Sequence, residues 1–195
     1  MSIKTGGKAF GRWEELKSFT KLLVRESLAR TISRSPLFVK LIDAYKPEAY
    51  TPEAFYKQLL KDALEAKPGE VIEIYSPTLT VSAVECLLPT LQKTKAKIRI
   101  HTLDPDVLGG GEQKEQCKSI QLLRENLGDK LELVLRKAMH EKAIVISNRV
   151  CYIGSINLFS AGREDPGSSY MVRYESPEIV TVLVHFLDVL EDSSK

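Results

Sequence analysis

Cysteine and histidine are scarce in this chain, and what it lacks narrows its chemistry before any motif is considered. Cys86, Cys117 and Cys151 are its only cysteines. Their number is odd, no Cys-x-x-Cys pair occurs, and each lies in an apolar or helical context. A disulfide framework and a zinc site are therefore both unexpected, and the three thiols read as reduced, intracellular residues. His101, His140 and His185 are the only histidines, too few and too scattered for a metal cluster, so no metal or other cofactor is expected. Neither a cationic apolar leader nor a long uncharged run is present, which argues against standard secretion and against a membrane span, and for a cytoplasmic location. Gly109-Gly110-Gly111 follows a strand pattern but no Gly-Lys-Ser/Thr succeeds it, and Asp104 and Asp106 precede it. A nucleotide-phosphate loop is thereby disfavoured against a flexible loop beside the site. No internal repeat is evident.

What remains is enough for one core. The 195 residues are 43% hydrophobic, which fits one domain with an extension. The net charge of +2 is unevenly spread. Residues 1–50 hold ten Lys or Arg against five Asp or Glu, a local excess of five positive charges, so the remainder carries 18 against 21. Within that basic segment Lys17, Lys21 and Arg25 recur as they would on a surface following a phosphate backbone, which makes them nucleic-acid-binding candidates. Spaced cations also form the solvated face of an ordinary amphipathic helix, and that alternative carries more weight.

Periodicity divides the chain into a helical, basic extension over 1–50 and an α/β body over 51–195. Trp13, Leu16, Phe19 and Leu23 recur at helical spacing, and Pro36 opens a second short helix. Thr51 then Pro52 marks the start of a helix running to about Ala66, where Lys67-Pro68-Gly69 stops it. From Glu70 strands alternate with helices: strand 71–75, helix 80–93, strand 97–103, helix 113–127, strand 131–136, a hairpin, strand 172–175 and helix 177–190. That alternation predicts a mixed, largely parallel sheet with helices on both faces.

The hairpin carries the chemistry. His140-Glu141-Lys142 leads into Ala143–Ile146, a turn near Asn148-Arg149 follows, and the returning strand ends in Gly154-Ser155-Ile156-Asn157. An imidazole, an ammonium, a hydroxyl and an amide are thus brought to one sheet edge, a set suited to a phosphate diester. His140 can attack phosphorus, while Lys142, Ser155 and Asn157 can hold non-bridging oxygens. Singly, each residue has a bland explanation as strand edge, solvated cation or turn; their joint order is what points to a site. His101 and His185 read as structural, and Arg173 is balanced between a structural ion pair and a phosphate contact.

This pairing resembles the phospholipase D superfamily, whose signature runs His-x-Lys, four residues, Asp, then Gly-Ser-x-Asn. The surroundings are similar to its nuclease-like members, where Leu and Ser follow as in Leu158-Phe159-Ser160. The resemblance implies a phospholipase D-like fold over 51–195 and a metal-independent DNA nuclease that forms a phosphohistidine. Because one His-x-Lys is present and two imidazoles are wanted, it also implies a site shared across a homodimer. A helicase or restriction-modification enzyme is the working partner it suggests besides DNA. Two positions depart from the signature: Ser147 stands at the Asp and Ser169 at the downstream Glu that orients the imidazole. Glu164 and Asp165, on a loop between Gly162 and Gly167, are the candidate substitute acids. If none substitutes, the same pocket would bind nucleic-acid or anionic-lipid phosphate without efficient turnover.

Overall fold

A computed structural model describes residues 3–5, 8–10, 48–159 and 169–192. In it three short strands, β1 (Ile3–Thr5), β2 (Lys8–Phe10) and β3 (Glu48–Tyr50), precede helix α1 (Pro52–Leu64). Then come β4 (Val71–Tyr75), α2 (Val81–Lys93), β5 (Lys97–Leu103), α3 (Gly110–Leu127) and β6 (Leu131–Arg136). The hairpin is β7 (Ala143–Ile146) and β8 (Val150–Gly154), followed by β9 (Met171–Tyr174) and α4 (Pro177–Asp192).

The strands join in one sheet in the order β2-β1-β3-β9-β8-β7-β4-β5-β6. It is mixed, as the alternation predicts, but its balance is not parallel. Among the described residues the parallel ladders are β4–β5, β5–β6 and β1–β3, and the other five are antiparallel. Parallel pairing requires long crossovers, which β4-α2-β5-α3-β6 supplies for β4–β5 and β5–β6. The hairpin instead enters the sheet with β7 antiparallel to β4. Within residues 1–50 the segments described are β1, β2 and β3. Glu48-Ala49-Tyr50 is too short to announce itself and is extended because it pairs with Arg173, Val172 and Met171 of β9. The expected helices near 12–32 and 36–44, with Lys17, Lys21 and Arg25, lie outside the described residues.

Helices cover both faces, which is why the central strands are apolar throughout. Ile72, Ile74, Ile98, Ile100, Ile144, Ile146 and Tyr152 bury one face against α1, α2 and α3. Tyr75, Val145, Cys151, Ile153 and Val172 bury the other against Ile179, Val180, Leu183 and Leu187 of α4. Each such side chain contributes roughly 1.5–3 kcal/mol. Burial also pushes the Cys151 thiol up to about 12, against the opposing pull of Arg173, so it is chemically quiet. Gly110 and Gly111 form the first turn of α3 rather than a loose loop, with Gly110 at a φ of 50° that favours glycine. Among the described residues no helix is long and apolar enough to cross a membrane.

Candidate active site

The hairpin's open end lies where the sheet changes from parallel to antiparallel. β4 has parallel β5 on one side and antiparallel β7 on the other, so the carboxyl end of β4 meets the start of β7. Strand order also reverses there, with β5 and β6 to one side of β4 and β7, β8 and β9 to the other, and crevices outside strand carboxyl ends at such switch points are where open α/β sheets bind ligands. Lys142 immediately precedes β7, and its carbonyl accepts from the Gly154 N–H at 3.2 Å. His-x-Lys and Gly-Ser-x-Asn are thereby fastened side by side, as their order in the chain predicts.

His140 is exposed, and its backbone N–H donates to the Glu141 carboxylate at 2.9 Å. The half-buried Lys142 ammonium donates to the His140 carbonyl at 3.2 Å. Burial lowers the affinity of Lys142 for its proton, and the nearby Glu141 carboxylate opposes that shift. Ser155 is committed locally: its N–H donates to the Tyr170 carbonyl at 3.0 Å, and its hydroxyl accepts from the Tyr170 N–H at 3.1 Å. These bonds extend the β8–β9 ladder by a residue and hold Ser169, the preceding residue, next to the site. The Asn157 carboxamide donates to Thr78 Oγ1 at 2.7 Å, and its oxygen accepts from the hydroxyl of Ser76. Ser76 and Thr78 directly follow β4, and sequence reasoning missed both. Two hydroxyls just past the end of a buried strand beside a parallel neighbour were the available signal.

Gly154 is required by space. A Cβ there would stand 2.2 Å from the Tyr170 carbonyl oxygen, 2.7 Å from Met171 Sδ and 2.9 Å from Met171 Cα. Gly154→Ala must therefore push β9 off β8. It is expected to lower the unfolding free energy by roughly 1–3 kcal/mol, the usual cost of overpacking. A chemical-denaturation midpoint unchanged from wild type would contradict that.

No family model matches the sequence, and no curated protein sequence does. Solved structures do match. Nuc from Salmonella typhimurium, described as a phospholipase D family member, superposes with a TM-score of 0.52 at 17% identity, over 76% of this chain and 96% of that one. The chain has a phospholipase D-like fold. NucT from Helicobacter pylori gives 0.56 at 14% identity over 75% and 96% of the two chains. Phosphatidylserine synthase from Haemophilus influenzae gives 0.57 at 11% identity, over 77% of this chain and 39% of that one.

Within that fold the two departures from the signature differ in kind. Ser147 lies at the far end of β7 from Lys142, in the turn with φ 49°. Its N–H donates to the Val71 carbonyl at 2.8 Å and its hydroxyl accepts from the Val71 N–H at 3.1 Å. It anchors the turn to the start of β4 and takes no part at the site. Ser169, by contrast, is beside the site. Glu164 and Asp165 lie outside the described residues.

Arg173 resolves as a structural ion pair. Its guanidinium grips the Asp62 carboxylate through Nε at 2.8 Å and Nη2 at 3.2 Å, and a third nitrogen meets Glu175 at 2.9 Å. His101 is structural as well. It is buried, stacked on Tyr75 with ring centroids 4.2 Å apart, and its Nδ1 accepts from Arg136 at 2.9 Å. Burial, then the positive charge of Arg136 and Arg99, depresses its pKa to about 3. It is thus neutral at physiological pH and cannot serve as a protonated acid. His185 lies on α4, on the opposite side of the sheet from α1–α3.

Proposed function

We propose that this protein hydrolyses phosphodiesters of DNA without a metal, through a phosphohistidine on His140, in a site completed by a second copy of the chain. The observation that carries the proposal is the fastening of His-x-Lys to Gly-Ser-x-Asn at the sheet's switch point. His140 attacks phosphorus as the bond to the leaving oxygen breaks, and that oxygen takes a proton from the imidazolium of the second copy's His140. Water then displaces the phosphoryl group from His140, giving its proton to the now neutral second imidazole. Lys142 and Asn157 offset charge on the non-bridging oxygens throughout. Homodimerisation is proposed because His101 is buried and neutral, leaving one usable imidazole at the hairpin. DNA is favoured as substrate by the excess of Lys and Arg over residues 1–50.

Three measurements test this together. A chromogenic diester should be cleaved in excess EDTA, and loss of activity restored by magnesium would sink the mechanism. Sedimentation should give a dimer, whereas an active, strictly monomeric species would contradict the shared site. Duplex DNA should compete better than anionic vesicles for the diester site; the reverse order would assign a lipid substrate.

The presence of Ser169 beside the site favours one second reading, a pocket that holds phosphate with little turnover. Ser169→Glu separates the two. If nothing else orients His140, the introduced carboxylate should fix its tautomer and raise kcat by about tenfold or more. If Glu164 or Asp165 already does so, Glu164→Gln or Asp165→Asn should lower turnover and Ser169→Glu should give little. Phosphate binding without turnover in every variant would establish the binding module.

A further inference from the structure

We propose that Ser76 and Thr78 are positioning residues that clamp the Asn157 carboxamide, leaving one of its N–H groups aimed at the substrate phosphate. The role presupposes Asn157 as a phosphate ligand.

A carboxamide has one oxygen and two N–H donors. Here the oxygen accepts from Ser76 Oγ, and Nδ2 donates one hydrogen to Thr78 Oγ1 at 2.7 Å. The second hydrogen is left as a donor of fixed direction. Left unheld, an asparagine amide turns freely, because its terminal torsion is broad. Ser76 is fully buried, so its hydroxyl acts on substrate through Asn157 and not by touching it. It also accepts from the Phe159 N–H at 3.4 Å, which fixes the backbone two residues beyond the amide.

The clamp is itself rigid. The Ser76 N–H donates to the His101 carbonyl at 3.0 Å, and the Pro77 carbonyl accepts from the Leu103 N–H and the Thr102 hydroxyl, each at 3.1 Å. Buried Gln116 then ties the segment from the other side. Its oxygen accepts from the Leu79 N–H at 2.7 Å while its nitrogen donates to Thr102 Oγ1 at 2.7 Å and to the Leu103 carbonyl at 2.9 Å. Thr80 closes the ring, its N–H donating to the Phe159 carbonyl at 2.7 Å. The segment after β4 and the segment after β8 are therefore one hydrogen-bonded body around Asn157. Thr78 further lines an open cleft of about 410 Å³ between this segment and the start of α3.

A double-mutant cycle tests the clamp. Thr78→Val should lower kcat about tenfold with KM changed less than about twofold, because a misdirected donor fails chiefly in the transition state. Thr78→Ser, which keeps the oxygen, should restore turnover. In an Asn157→Ala background Thr78→Val should cost less than about twofold, since the group it positions is gone. Equal losses in both backgrounds, no loss in the wild-type background, or failure of Thr78→Ser to rescue would overturn the proposal. A second measurement is independent of turnover. Side-chain amide NMR should show one Asn157 Nδ2 proton protected from solvent exchange in wild type and exposed in Thr78→Val. Should wild type cleave no diester, the phosphodiesterase function falls alone, and unchanged protection in Thr78→Val still decides against the clamp.

Discussion

His140→Ala is expected to remove diester hydrolysis by a factor on the order of 10³ or more, the scale of losing a covalent nucleophile. Stability should hardly change. His140 is exposed, and its hydrogen bonds are made by its backbone, the N–H to the Glu141 carboxylate and the carbonyl from the Lys142 ammonium, both of which alanine keeps. Substitutions of that kind usually fall within about 0.5 kcal/mol. Activity and thermal unfolding measured on the same preparation separate the two effects. Residual turnover within tenfold of wild type would remove His140 from the covalent role, and unfolding at a much lower temperature would make the loss of activity uninformative. Acid quench should also trap labelled phosphoryl on wild type and none on His140→Ala.

Asp62→Ala should produce the largest loss of stability, roughly 3–5 kcal/mol, because it strands a buried charge. Asp62 is 1% exposed on α1, and its carboxylate receives two guanidinium bonds from Arg173, the Tyr152 hydroxyl and the Gln58 amide. Alanine would leave Arg173 and Tyr152 facing an apolar wall. The double variant Asp62→Leu with Arg173→Met should recover most of the loss, since removing both charges is far cheaper than removing one. Failure of the double variant to recover would mean that packing, not charge, sets the cost.

The pH dependence follows with a definite sign. Burial alone would raise the Asp62 pKa, but the Arg173 and Tyr152 hydrogen bonds outweigh it and hold the carboxyl below the usual range. Its stabilisation is therefore complete above about pH 4, the ordinary carboxylate value, and is lost as pH falls through the lower folded pKa. His101 adds to this earlier. An unfolded imidazole takes up a proton near pH 6.5 whereas the buried one holds off to about 3, so stability should begin to decline below about pH 6.5. Denaturant midpoints flat between pH 7 and pH 4.5 would contradict the burial of a neutral His101.

Local order was highly legible. The strands 71–75, 97–103 and 131–136 and the helices over 81–93 and 177–192 follow from apolar runs and from Thr and Pro at helix starts, all of which act within a few residues. The pairing that sets Lys142 beside Gly154 was legible for the same reason. A four-residue strand, a tight turn and a returning strand have little choice but to place the ends together.

What the sequence by itself determined, then, is the set of elements and the pairing inside the hairpin, because both arise from neighbours in the chain. Only the tertiary structure decided where the hairpin docks. Its antiparallel seating on β4 shifts the balance of the sheet from parallel to antiparallel, and it brings Ser76 and Thr78 to Asn157 from about eighty residues away. Tertiary structure likewise turned Arg173 from an open alternative into the partner of Asp62, 111 residues distant, and made Glu48–Tyr50 a strand by offering β9 as a neighbour. Contacts at such separations depend on which buried faces fit together. They leave no periodicity, cap or turn in the sequence on either side, so no local rule could have announced them.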